Sequence, residues 1–329
     1  MKVLVTGASG YVGNKLAHTL AELGTEVHAL VRNASTIKLL QHFNITVFQG
    51  DILQKESLMA AMKGCRHVYH AAAQVGAWAK NPIVFYDVNV EGTRHVLDAA
   101  LQSGVEKTVF TSTCGVIGPT LDKPLDENDP RTIGFEIDYD LSKKKGEDVV
   151  MQYAREGMNV VVVSPSKIYG PGKVSHSLTA NAIIDKFLKE RIALIPSPGS
   201  YRVSFALIDD IVNGHLLAME KGRNGERYIL GGINISYYEF FSRIRMLSKC
   251  KGRIIALPKR VIKTWAQLQQ LNHALTGRPV RFTVKSVDHL FSNYIFSSEK
   301  ASRELGYKIT PLDEGLEKTI HFLNNEPYE

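Results

Sequence analysis

The chain has 329 residues, 44% of them hydrophobic and 22% charged, the composition of an ordinary soluble globular protein with one large domain or two closely connected ones. Its net charge of +7 reads as a mildly basic surface with scattered cations, compatible with anionic small ligands and giving no footprint for nucleic acid. Cys65, Cys114 and Cys250 are odd in number and widely spaced, and the histidines do not cluster, which argues against a disulfide framework and a metal site. No apolar run is long enough to cross a membrane and no signal peptide fits before the first strand, so a cytoplasmic, reduced protein is expected.

Strand, glycine turn and helix open the chain in MKVLVTGASGYVG. Val3, Leu4 and Val5 have the apolar, largely β-branched character of a strand buried on both faces, and Val12, Leu16, Ala17 and Leu20 recur at helical spacing. Between them Gly7, Gly10 and Gly13 fall three residues apart. The first permits a tight turn, the second lets a pyrophosphate approach the backbone, and the third lets the helix pack against the strand. Free N–H groups and the positive end of the helix dipole then face phosphates, so Gly7, Ser9, Gly10, Tyr11 and Val12 are expected to hold a dinucleotide. The alternative is a tight turn without a ligand.

Glu26–Val31 reads as a second strand with Arg32 at its carboxyl end, where the adenosine ribose of a dinucleotide is read. An acid there takes the ribose hydroxyl of NAD, whereas an arginine accommodates the extra phosphate of NADP. Arg32, with Lys38 beyond it and no carboxylate between, implies NADP(H) in preference to NAD(H). After a strand at 46–48, Asp51 either caps a helix over 57–62 or accepts a hydrogen bond from the adenine amino group, with Ile52 beside it. A strand His67–His70 runs into Ala71, Ala72 and Ala73, small residues against which a flat ligand can lie. A helix over 89–101 stops at Gly104, and a strand Lys107–Thr111 places Thr111 and then Thr113 at its ligand end. A polar loop rich in prolines and acids leads to a helix from Tyr139 to about Arg155, and a strand at 159–163 ends near Pro165 and Ser166.

Beyond Gly172 the alternation weakens: helices are expected over 178–190, 211–219, 237–248 and 261–275, with strands at 192–195 and 203–210. The pattern predicts an α/β fold, a Rossmann-type doubly wound parallel sheet with a smaller mixed α/β C-terminal cap for the substrate. The dinucleotide-binding domain is expected over 1–165, with return segments about 203–232 and 288–298, and the substrate-binding domain mainly over 166–329.

Tyr139 and Lys143 are four residues apart and share one helix face. A phenol of reference pKa about 10 is a poor proton donor or acceptor at neutral pH, and a lysine one turn away favours the phenolate. With a hydroxyl from Thr113 to hold the substrate oxygen, these groups suffice beside a nicotinamide ring for carbonyl reduction.

The chain resembles the extended short-chain dehydrogenase/reductase family over essentially its whole length. The resemblance is carried by TGASGYVG (6–13), GDI (50–52), HAAA (70–73), DVNVEGT (87–93), FTST (110–113), YDLSK (139–143), IYGPG (168–172) and SSEKASRELGY (297–307). It implies that Tyr139 is the acid/base, that Lys143 also grips the nicotinamide ribose and that Thr113 orients the substrate oxygen. It also implies a homodimer through a bundle of helices 89–101 and 139–155. Sugar dehydratases of the family carry Asp-Glu after the threonine, where this chain has Cys114 and Gly115. Nucleotide-sugar enzymes usually place an arginine where Val203 stands, and Arg202 beside it would face the other way on a strand. The family's Arg-Pro before the YGPG turn is Ser164-Pro165, a further departure.

VRNAS (31–35), QVGAWAKNP (74–82) and LTGRP (275–279) resemble the dihydroflavonol-4-reductase-like branch, which reduces ketones or aldehydes with NADPH and also resembles hydroxysteroid dehydrogenases. Gln74, Val75 and Trp78 would then lie near the substrate, Trp78 alternatively packing its own loop. The expected function is NADPH-dependent reduction of a small carbonyl compound, with the proton from Tyr139. The alternatives are a nucleotide-sugar 4-epimerase that retains its NAD(P) and a non-enzymatic dinucleotide-binding protein. No nucleic-acid or membrane partner is expected.

Overall fold

The structure, a computed structural model, describes residues 1–172, 180–276, 280 and 283–325. The strands are β1 Lys2–Thr6, β2 Glu26–Val31, β3 Ile45–Gln49, β4 His67–His70, β5 Lys107–Thr111, β6 Val160–Pro165, β7 Lys167–Tyr169, β8 Ile192–Pro196, β9 Arg202–Leu207, β10 Arg227–Leu230, β11 Ile233–Ser236 and β12 Arg253–Leu257. The helices in the first half are α1 Tyr11–Glu22, α2 Lys55–Met62, α3 Ile83–Tyr86, α4 Gly92–Gln102 and α5 Asp138–Arg155. They are followed by α6 Ala180–Glu190, α7 Ile208–Lys221, α8 Tyr237–Leu247, α9 Lys259–Thr276, α10 Val284–Leu290, α11 Glu299–Leu305 and α12 Leu312–Asn325.

Seven strands form one parallel sheet in the order β10-β6-β5-β4-β1-β2-β3. Successive side chains of a strand point to opposite faces, and the core divides accordingly. Val3 and Val5 pack with Leu16 and Leu20 of α1 and Ile211 of α7 on one face. Leu4 packs with Leu58 of α2, Leu97 of α4 and Val150 of α5 on the other. A strand that must bury both faces has no room for polar alternation, which is why β1 reads as a continuous apolar run. The chain order reverses between β1 and β4, and at such a switch the carboxyl ends of the strands leave a crevice.

Above that edge lies a smaller layer of a three-stranded sheet, β11-β9-β7, and a two-stranded one, β12-β8, packed with α6, α8 and α12 around Phe187, Phe240 and Leu316. Among the segments expected to return to the main sheet, β10 pairs with β6 and α7 lies on its face, whereas β9 pairs within the three-stranded sheet. The stretch 293–296 bridges β9 to the loop after β5.

Two expectations are corrected, and one strand was not expected. The helix expected from 89 starts at Ile83 and passes through a π turn, Asp87–Glu91, before α4. Its first turns are β-branched and aromatic, which masks them, although Pro82 just ahead is a start signal. The strand expected over 203–210 ends at Leu207, and Asp209 and Asp210 instead occupy the first turn of α7, where the helix dipole favours acids. The three-residue strand β7 was too short to leave a periodic signal. Residues 178–179 of the expected helix and 277–279 of LTGRP lie outside the described residues. Among the described residues no helix is long and apolar enough to cross a membrane, and no group of three or more His, Cys, Asp or Glu is placed to hold a metal.

Candidate active site

The carboxyl ends of β1, β2, β4, β5 and β6 surround a cleft of about 670 Å³. Its floor is the turn between β1 and α1. Gly7 has φ +68°, and a side chain there would lie 2.6 Å from the Ala72 backbone nitrogen. A Cβ on Gly13 would overlap the Gly7 carbonyl, so α1 packs directly on the turn. The Thr6 hydroxyl and His70 Nδ1 share a hydrogen bond of 2.7 Å, and His70 Nε2 and Thr93 Oγ1 another of 3.1 Å, joining β1, β4 and α4 beneath the cleft. Burial, with the charge of Lys143 adding to it, pushes the His70 pKa down to about 3, so this ring is neutral. Tyr11 donates to the Gly170 carbonyl at 2.7 Å and accepts from Asn181 at 3.1 Å, tying the glycine turn to the IYGPG segment and α6.

At the adenosine end Arg32 is exposed, lines the cleft and makes no ion pair among the described residues. Lys38 sits on an exposed 3₁₀ turn, Ala34–Leu40, and does not line the cleft. Asp51 does line it, but does not cap the next helix: α2 starts at Lys55 after Gln54, while Asp51 accepts from the Leu53 N–H at 3.0 Å in a local turn.

At the other end Thr113 leaves β5 in extended conformation and accepts from the Gly115 N–H at 3.1 Å, and both it and Tyr139 line the cleft. Burial raises the phenol above its ordinary pKa, the charge of Asp140 raises it further, and the Thr113 contact opposes them. Lys143 is 1% exposed; its Nζ donates to the Thr111 carbonyl at 2.8 Å and lies 4.2 Å from the Phe110 ring centroid. Burial lowers Lys143 to about 7, against the charge of Glu147. In this arrangement the Lys143 ammonium is turned to the Thr111 carbonyl.

Gly7, Ser9, Gly10, Tyr11, Val12, Ile52, Ala71, Ala72, Ala73, Gln74, Val75, Thr111, Pro165 and Ser166 all line the same cleft. Trp78 does not; its ring meets the edge of His273 on α9 at 4.8 Å. Sequence reasoning missed Ser112, Lys167, Ile168 and Val88, which also line the cleft, and it missed Asn89 beneath it. Asn89 is fully buried: it accepts from Gln74 N at 2.8 Å and donates to the Gln74 carbonyl at 3.1 Å and to Ser142 Oγ at 2.9 Å. Ser142 in turn donates to the Tyr139 carbonyl at 2.8 Å, so the loop after β4 and the start of α5 are tied together. The available signal was an asparagine at a core-facing position of DVNVEGT.

An extended dinucleotide fits these residues. The glycine turn is a cradle that a side chain would fill, and Ser112 and Ser166, both on the cleft wall, have buried hydroxyls without partners. Sheet order, turn and hydroxyl pair define an extended short-chain dehydrogenase/reductase. Comparison with known proteins agrees: residues 3–231 match the NAD dependent epimerase/dehydratase family, and the chain belongs to it. It is 31% identical over 332 residues to a Synechocystis sp. protein named provisionally as a dihydroflavonol 4-reductase, covering 98% of this chain and 95% of that one. It is also 31% identical over 311 residues to sterol demethylase protein B of Methylococcus capsulatus, covering 93% of each. The solved structure of gox2253 superposes with a TM-score of 0.82 at 29% identity, over 99% of this chain and 98% of that one. The chain is thus an NAD(P)-dependent oxidoreductase of the extended family.

Proposed function

We propose that this enzyme reduces a ketone or aldehyde to an alcohol with NADPH as the preferred cofactor. The observation that carries the proposal is that Thr113, Tyr139 and Lys143 line the same cleft as the glycine turn and Arg32. Gly7, Ser9, Gly10, Tyr11 and Val12 would hold the phosphates, Arg32, Asp51 and Ile52 the adenosine end, and Ala71–Ala73, Thr111, Lys143, Pro165 and Ser166 the nicotinamide end. The bound nicotinamide supplies a hydride to the carbonyl carbon. Thr113 holds the substrate oxygen, and Tyr139, kept protonated by its burial, delivers its proton to that oxygen. Gln74 and Val75, which line the cleft, would contact the substrate.

Two departures disfavour sugar chemistry. The Cys114 thiol donates to the Ser164 carbonyl at 3.1 Å and is held undissociated by burial, while the space a Gly115 side chain would need is filled by Asp140, so neither position transfers protons to a sugar. Val203 is buried in the core, and Arg202 donates to the Asn234 carbonyl at 3.0 Å outside the cleft, so neither position offers the cleft an arginine for a diphosphate. The test is a panel of ketones, aldehydes and UDP-sugars followed at the nicotinamide absorbance. Stoichiometric NADPH consumption with a carbonyl compound is expected; interconversion of a UDP-sugar without net consumption overturns the reading.

The oligomer that goes with it is a homodimer through α4 and α5, which pack together where Tyr153 donates to Asp98 and leave Leu101 52% exposed. Light scattering should give twice the chain mass, and Leu101→Arg should shift it toward monomer.

A further inference from the structure

We infer that the exposed face of α9, which belongs to a basic stretch of the sequence, docks on a lipid bilayer surface carrying anionic headgroups. The cations of this chain are not scattered. Residues 240–287 hold eleven of its 40 Lys and Arg and none of its 33 Asp and Glu, so the other residues, with 29 basic against 33 acidic side chains, are net −4. The whole positive excess of +7 belongs to this one stretch. Arg245, Lys249, Lys251, Arg253, Arg260 and Lys285 make no ion pair among the described residues, while Arg243 meets Asp313 and Lys259 and Lys263 share Asp288.

Within the same stretch α9 buries only a narrow stripe, through Ala266 and the partly buried Ile262, against Val287 and Phe291 in a small cluster separate from the main core. Val261, Trp265, Leu268, Leu271 and Leu275 are 52%, 48%, 59%, 58% and 78% exposed. At 100° per residue they fall on one arc about 120° wide, a contiguous apolar face rather than the isolated leucines of any surface. The chain reaches α9 from β12, whose exposed Arg253 and Ile255 stand opposite the exposed Ile192 and Leu194 of β8.

An apolar helix face within a basic stretch of sequence that carries no acid is the composition that lies in a membrane interface. A nucleic acid would use the cations but not the leucines, since phosphates and sugars offer nothing to an aliphatic arc. A second copy would cover the leucines only by bringing two acid-free basic segments together. His273 of α9 touches Trp78, so docking would hold the loop after β4, beside the cleft, near the bilayer.

Co-sedimentation of the full chain with phosphatidylcholine vesicles, alone or with about one third phosphatidylglycerol, tests the inference. Binding is expected only to the anionic vesicles and to weaken with salt. Leu268→Gln/Leu271→Gln/Leu275→Gln should lower it about tenfold or more with unchanged melting temperature and NADPH affinity, and Arg253→Gln/Arg260→Gln should lower it independently. Failure to bind anionic vesicles at low salt overturns the inference. So does undiminished binding by the triple leucine variant, equal binding of both proteins to duplex DNA in place of vesicles, or a loss of dimer mass in that variant.

Discussion

Asp140 and Lys143, three residues apart in α5, are both buried and both drawn toward their neutral forms: burial raises the carboxyl to about 7 and lowers the ammonium to about 7. For Asp140 the folded pKa lies above the unfolded one, so its contribution is fully present below pH about 4 and is lost as pH rises to about 7. Asp140→Asn should therefore flatten the fall in melting temperature between pH 5 and 7, measured by calorimetry; an unchanged slope would place the titration elsewhere. Lys143 has the opposite sign, its contribution being lost as pH falls toward 7. Tyr139→Phe removes the proton donor and leaves the glycine turn untouched. It should reduce kcat by about 10²-fold or more while NADPH binding by fluorescence titration stays nearly constant. Arg32→Asp should move the kcat/KM preference toward NADH by about tenfold or more, because a carboxylate repels the extra phosphate and takes a free ribose hydroxyl; equal discrimination before and after sinks the NADP assignment.

At the scale of elements, the turn between β1 and α1 was legible because everything it needs is local: a β-branched run, three glycines and a helical period within twenty residues. Its close approach is testable. Gly13→Ala pushes a methyl into the Gly7 carbonyl, so α1 must retreat from the sheet, with a loss of about 1–3 kcal/mol in chemical denaturation and a larger loss of dinucleotide affinity. The Thr113, Tyr139 and Lys143 set was legible from the order of its motifs. The network of Gln74, Asn89 and Ser142 was not, because the Asn89–Ser142 bond spans 53 residues and no period announces it. Asn89→Ala leaves the Gln74 N–H and carbonyl and Ser142 without their partner, and should raise KM more than it lowers kcat as the loop after β4 loosens. Lys38 and Trp78 were singled out from position along the chain and do not line the cleft: Lys38 sits on the 3₁₀ turn, and Trp78 meets His273 of α9, in keeping with the packing alternative.

For the molecule as a whole, the doubly wound sheet followed from alternating strands and helices, but the membership of its last strand did not. β10 is four residues of the C-terminal half that pair with β6, and nothing in Arg227–Leu230 says which sheet it joins. The charge asymmetry was written in the sequence and became visible only when the acids were mapped as well as the bases.

The place of β10 also decides whether the nucleotide-binding half is a transferable module. Arg227 at its head pairs with Glu147, a carboxylate only 1% exposed on α5, and Lys107 of β5 donates to the Gly222 carbonyl at 2.7 Å. A fragment ending at residue 165 would lose that guanidinium, at about 3–5 kcal/mol for a buried charge left alone. It would also lose α7 from over Val161 and Val163 and leave β6 with a bare edge. Such a fragment should be recovered as aggregate. Two halves stitched through one another in this way cannot be exchanged by simple fusion at the crossing point, so new specificities in this architecture are expected to arise by remodelling loops in place rather than by swapping caps.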